Sequence, residues 1–274
     1  MKNVIVFTNL FFCFLMPIHG AFGQDREHES VFDLTAETIE LPDTHADKSE
    51  YIWKVKRNPD GYGFELESEK GEKNSGKYAL QTAVPDGVDI DSMILFFADT
   101  DLDRAGVLFP EKTADRYVVD IPALDGEYKF ELVMQTSEGV VNLSEEKSFE
   151  ASGALPPVNT QSMLELEPKK LYAEHIASFI FHLKAGGKPV YDLEKMQGHD
   201  MLLIAWNKSF FFNMSQFLFA TPKKSIGGPD VAVSTVFKNP GVFVVFGFFK
   251  HNGKIDCIRK EVDMYYEEPH ETLG

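Results

Sequence analysis

The run Asn239-Pro-Gly-Val-Phe-Val-Val-Phe-Gly-Phe-Phe-Lys-His-Asn-Gly-Lys-Ile-Asp-Cys257 decides the fold. A Pro-Gly turn leads into an almost unbroken row of Val and Phe from Val242 to Phe249. The polar turn His251-Asn-Gly253 then reverses the chain into a second strand. β-Branched and aromatic residues bounded by turn signals read as a strand buried on both faces and closed by a hairpin. A weaker copy lies upstream, where Asp125-Gly-Glu-Tyr-Lys-Phe-Glu-Leu-Val-Met134 is followed by Thr136-Ser-Glu-Gly139. Two copies of one hairpin suggest two copies of one domain, and a shared sandwich topology without duplication would read the same.

Working outward, other segments pair off in the same way. Met93-Ile-Leu-Phe-Phe-Ala98 matches Met201-Leu-Leu-Ile-Ala-Trp206 in character. Tyr117-Val-Val-Asp-Ile121 with Gly126 matches Ala232-Val-Ser-Thr-Val236 with Gly241. Short strands separated by turn signals, with no helical period between them, predict an all-β chain of two tandem Ig-like antiparallel sandwiches. The first is expected over residues 51–150 and the second over 163–264. Between them Ala151-Ser-Gly-Ala-Leu-Pro-Pro begins a linker over 151–162, small and proline-paired.

The ends set the compartment. Met-Lys-Asn, an apolar run from Val4 to Ile18 and Ala21-Phe-Gly23 have the order of a secretory signal peptide, residues 1–23. Its apolar run is short for a membrane span of ~20 residues, so the expectation is an exported chain, periplasmic or secreted, without stable membrane insertion after cleavage. Loss of Lys2 takes the formal charge from -16 to -17. Such acidity argues against nucleic acid as a partner. It is concentrated in residues 24–50 and in the tail, 265–274. Only Cys257 survives cleavage, so no intramolecular disulfide is available to the mature chain.

Two groups of residues carry metal-ligand types. Met196-Gln-Gly-His199-Asp-Met201, with Met214, offers thioether and imidazole donors that suit Cu(I), although Met201 shares a strand face with Leu203 and core packing is the default reading. Asp99, Asp101 and Asp103 alternate as in a calcium loop, but Arg104 and Pro110 stand where an EF-hand needs Gly and Glu. No nucleophile elbow, zinc-protease motif or phosphate-binding glycine loop occurs, and the expectation is a non-enzymatic chain.

The faces of the two hairpin strands are sharper. In the first copy Tyr128, Phe130, Leu132 and Met134 point to the core, while Glu127, Lys129, Glu131 and Val133 read as a wet face. In the second, Phe243, Val245, Gly247 and Phe249 take the core role. Their opposite face is Val242, Val244, Phe246 and Phe248, apolar where the first copy is charged. Left in water, those four would forgo on the order of 6–10 kcal/mol of burial. A cover is therefore expected: the first domain, a second subunit, a partner protein or the loop from Phe210 folded back. These four residues are the expected interface, and a protein partner or self-association is the expected use.

The second half also resembles a known family. Gly187-Lys-Pro-Val-Tyr-Asp-Leu-Glu-Lys-Met-Gln-Gly-His199-Asp-Met-Leu-Leu-Ile204, Phe237-Lys-Asn-Pro-Gly-Val-Phe243 and Phe248-Phe-Lys-His-Asn-Gly-Lys254 are similar to bacterial exported Ig-like domains often found beside periplasmic metal-handling proteins. The likeness spans about Leu164 to Met264. It implies an Ig-like fold and, as the alternative to an interaction module, a periplasmic copper-binding or chaperone role. That family's His-x-His-Pro element is replaced here by Phe211-Phe-Asn-Met-Ser-Gln-Phe217.

Overall fold

In the computed structural model, residues 41–43, 46–52, 54–68, 76–113, 116–150, 155–208 and 217–266 are described. The signal segment, Met214 and the end of the acidic tail lie outside them. A 3-10 turn at Lys48–Tyr51 is capped by Asp47, whose carboxylate accepts from the Ser49 N–H at 2.9 Å. It precedes β1 (Val55–Arg57), β2 (Gly63–Ser68), β3 (Gly76–Ala83), β4 (Ile90–Asp99), β5 (Ala105–Leu108), β6 (Glu111–Lys112), β7 (Tyr117–Ile121), β8 (Asp125–Thr136) and β9 (Gly139–Glu150). The second half contains β10 (Met163–Glu167), β11 (Leu171–Tyr172), β12 (Ile176–His182), β13 (Lys184–Ala185), β14 (Lys188–Pro189), β15 (Met201–Asn207), β16 (Phe217–Ala220), β17 (Asp230–Val236), β18 (Gly241–His251) and β19 (Lys254–Tyr265). No helix among the described residues is long and apolar enough to cross a membrane.

The chain is two Ig-like β-sandwiches whose five-stranded sheets share one strand order. One five-stranded sheet has the order β1-β9-β8-β4-β5 and the other β11-β19-β18-β15-β16. In each, the first pair is parallel and the others antiparallel. The partner sheets are β2-β3-β7-β6 and β10-β12-β17. Gly126 and Gly241 open the equivalent strands β8 and β18, with φ of 98° and 135°, where a side chain would be strained. The second hairpin turns on Asn252 and Gly253, φ 51° and 73°, the left-handed pair that suits the twist of a two-residue loop.

Each sandwich has its own core. Tyr78, Leu95, Phe97, Phe130, Leu132 and Phe149 belong to the first, Phe179, Phe181, Met201, Phe237, Phe243 and Phe249 to the second. A third cluster joins the two five-stranded sheets face to face: Ile94, Phe96, Val133, Leu202, Ile204, Trp206, Val244, Phe246 and Phe248 are among its members. The sheets therefore form a four-layer stack, with the five-stranded sheets inside. The linker is tied at its described end too. Leu155 is buried in the first core, its carbonyl accepting from Arg104 at 3.2 Å, and the Asn159 N–H donates to the Cys257 carbonyl at 2.6 Å.

Candidate functional site

Strand alternation puts Lys129, Glu131 and Val133 on the outward face of β8, and Val244, Phe246 and Phe248 on the outward face of β18. These faces meet. Phe96 from β4 lies 5.5 Å from the Phe219 ring, 6.2 Å from Phe217 and 6.0 Å from Phe248 across the seam; within the second sheet, Trp206 is 5.3 Å from Phe217 and 6.0 Å from Phe246. The first sandwich is thus the cover of the apolar face. The expected partner surface at Val244, Phe246 and Phe248 is corrected to an intramolecular seam, because all three are buried within the chain; Val242 is half-buried beside them.

The wet face is corrected for the same reason. Glu127 is exposed, but Lys129 and Glu131 retain 1% and 0% of their surface. Glu131 survives there because its strand neighbours answer it. It accepts from Asn142 Nδ2 at 3.0 Å and Ser144 Oγ at 3.1 Å, with Lys129 Nζ at 4.0 Å. Desolvation pushes its carboxyl up to about 7, against the pull of Lys129, Asn142, Ser144 and the Trp206 indole. Burial lowers Lys129, and Glu131 and Glu146 oppose that shift. Arg57, at the end of β1, donates from its guanidinium to the Phe217 carbonyl across the seam; burial lowers its pKa and Glu131 raises it.

The acidic loop clasps the other edge of the seam. Leu102, at φ 55°, is buried in the interdomain cluster, and its carbonyl accepts from Arg259 Nε at 2.6 Å. Asp103 pairs with the same guanidinium at 3.4 Å. Asp99 caps its own loop, accepting from the backbone N–H groups of Asp103 at 2.9 Å and Arg104 at 3.2 Å, while burial raises its pKa. The calcium reading of Asp99, Asp101 and Asp103 is corrected accordingly: one carboxylate is held by backbone and another by arginine. Among the described residues no group of three or more His, Cys, Asp or Glu is placed to hold a metal.

The copper reading of Met196, His199 and Met201 is corrected by the sheet itself. Met196 belongs to the interdomain cluster and Met201 to the second core, so the two thioethers lie on opposite sides of the inner sheet. His199 closes a tight turn with Met196, their backbones exchanging hydrogen bonds at 2.8 and 3.0 Å. Burial, then Lys195, lowers its imidazole pKa. Met214 lies outside the described residues.

One feature of the seam remains open. At the edge where β1 meets β16, Val55, Arg57, Val133 and Asn142 of the first sandwich face Phe217, Phe219, Phe237 and Phe243 of the second across a cleft of about 80 Å³. Lys238 and Asn239 stand exposed at its rim. Sequence reasoning missed this site, since its residues come from distant strands and only the apolar face of β18 hinted that the domains meet.

Comparisons with known proteins add little chemistry. A family model described as a domain of unknown function (DUF8832) matches residues 158–264, the second sandwich with the end of the linker. No curated protein matches the chain. Among solved structures, the chicken CNTN1 FN1–FN3 domains are similar at 10% identity, with 76% of this chain and 67% of that chain covered and a TM-score of 0.26. A two-domain fibronectin type III segment from chicken tenascin is similar at 8% identity, with 73% and 97% covered and a TM-score of 0.25. At such scores the superpositions carry no argument, and the fold rests on the sheets themselves.

Proposed function

We propose that this chain is a non-enzymatic binding module of the bacterial cell envelope, exported to the periplasm or beyond, whose contact site is the cleft at the seam. The observation that carries the reading is the convergence of both sandwiches on that cleft: four phenylalanine rings from one side, Arg57 and the Asn142 amide from the other. Concave sites with apolar walls and few polar groups, at domain junctions, are favoured places for ligands. The docked inner sheets fix the two walls relative to each other, so a ligand would meet a preorganised site. The N-terminal signal-like segment supports export.

A fragment screen by ligand-observed NMR on the mature chain tests the site. Asn239→Trp, at the exposed rim, should close the cleft without disturbing the core and should abolish binding of the fragments found. Absence of any binding fragment, or fragments indifferent to Asn239→Trp, overturns the reading. Export is checked separately by fusing residues 1–30 to a reporter that is active only outside the cytoplasm.

A further inference from the structure

We infer that the outer edge of β17 is a pairing surface for a second copy of this chain, two β17 strands meeting antiparallel about a two-fold axis. The 3-10 turn Lys48–Tyr51 guards that edge.

The two outer sheets differ at one end. In the first sandwich the order is β2-β3-β7-β6, so β7 lies inside its sheet; in the second it is β10-β12-β17, and β17 ends the sheet. The last strand of a sheet presents a row of N–H and C=O groups, a template for another chain. Ala220-Thr-Pro-Lys-Lys224 leaves β16 with the spacing by which Leu108-Phe-Pro-Glu-Lys112 passes from β5 to β6. It forms no strand beside β17. A recess opens there instead, with Pro222, Lys223 and Ser234 among its walls. Lys223 turns to the N-terminal arm, 2.8 Å from the Glu50 carboxylate and 3.6 Å from the centre of the Tyr51 ring. The Tyr51 carbonyl in turn accepts from Thr235 Oγ1 at 3.3 Å, which lays the turn against the C-terminal part of β17.

The strand is suited to pairing with itself. Asp230-Val-Ala-Val-Ser-Thr-Val236 is mostly β-branched, with one charge and no proline. An antiparallel pair centred on Val233 engages all 7 residues of each copy. It sets Asp230 opposite the second copy's Val236, Val231 opposite Thr235 and Ala232 opposite Ser234, and no like charges meet. The other sheet ends are less suited. In β10, Met163-Leu-Glu-Leu-Glu167, a pair centred on Glu165 brings two carboxylates face to face, and one centred on Leu166 sets Glu165 opposite Glu167. At β2, Lys147 Nζ already caps the Leu66 carbonyl at 2.5 Å. Pairing through β17 is isologous and closes at two copies, joining two three-stranded sheets into one.

Analytical ultracentrifugation of the mature chain across a concentration series tests this. The natural chain, with its turn in place, is expected to be mainly monomeric. Glu50→Ala with Tyr51→Ala releases the turn and should tighten self-association about tenfold, the factor that ~1.4 kcal/mol of lost guarding contacts supplies. Thr235→Val keeps the shape of a buried side chain while removing its bond to the turn, and should act in the same direction by a smaller factor. Ala232→Lys with Ser234→Lys, added to the released chain, places ammonium groups opposite each other across the pair and should restore the monomer. Monomers throughout, in the released chain and in Thr235→Val alike, overturn the pairing. Self-association indifferent to the two lysine substitutions overturns its placement at β17. A natural chain that dimerises as tightly as the released one, and is dissociated by the lysines, overturns the guarding role and supports the pairing.

Discussion

The outward faces of β8 and β18 occupy equivalent places in two sheets of like strand order and are written in opposite alphabets. One reads Glu127, Lys129, Glu131, Val133; the other Val242, Val244, Phe246, Phe248. Apart from the exposed Glu127 and half-buried Val242 at their ends, both rows are buried in the seam between the sandwiches. The difference shows that a docking face need only be complementary. The apolar side supplies area worth roughly 1.5–3 kcal/mol per buried large side chain. The polar side is tolerable because Asn142, Ser144 and Lys129 satisfy Glu131 before it meets the rings. A face that looks wet can be half of a dry seam when its charges are answered from within its own sheet.

The comparison breaks most sharply from the apolar side. Phe246→Asp with Phe248→Asp puts two carboxylates where both rings are buried, and should cost more than about 5 kcal/mol. Urea unfolding, with limited proteolysis at the linker, would show whether the sandwiches separate or the chain unfolds. Unchanged stability would mean that the faces are not packed. On the polar side, Glu131→Leu alone should lose about 3–5 kcal/mol by leaving Lys129 and three donors unanswered. Adding Lys129→Met should recover much of that loss, as measured by the midpoint of the same unfolding curve.

Glu131 also gives the seam a pH dependence with a definite sign. Its folded value of about 7 lies above its ordinary 4.5. The stability it contributes is therefore complete below about 4.5, is lost as pH rises toward 7, and is constant above that. Across that window the stability gap between the natural chain and Glu131→Gln should change by about 3 kcal/mol. A gap independent of pH would mean that the carboxyl is not desolvated.

Smaller effects compare the two cores. A Cβ at Gly247 would meet Phe181 Cε1 at 2.6 Å, and one at Gly106 would meet Phe97 Cζ at 2.3 Å. Gly247→Ala should cost about 1–3 kcal/mol, with Gly106→Ala at least equal to it in thermal melts. Least disruptive is a thiol probe. Burial raises the Cys257 pKa beside the seam, so a disulfide reagent should label it slowly in the native chain and rapidly in urea.

Much of the fold was legible because period two is a strong signal. The division of Tyr128–Met134 and Val242–Phe249 into inner and outer rows is the division the cores display. What lies beyond an outer row is not a property of that row: the apolar row of β18 called for a cover without choosing among the candidates, and the charged row of β8 read as solvent. Charges on alternate positions usually mean solvent, since Lys and Glu are rarely buried unless paired. The answering Asn142 and Ser144 stand on a neighbouring strand, and Trp206 in the other domain. In the acidic loop the informative residue was Leu102, an apolar side chain among aspartates, whose burial turns a candidate ion site into a clasp. The cleft had no local signature at all, because Arg57 and Phe237 are brought together only by docking.

The shared seam also constrains how such a chain can change over generations. Each inner sheet is a wall of its neighbour's interior, so a substitution on either outward face is judged against residues about a hundred positions away. Neither sandwich is a freely portable part. Transplanted alone, residues 158–264 would carry Phe246 and Phe248 into water, and any lineage that uses that half by itself must have rewritten the face or supplied another wall.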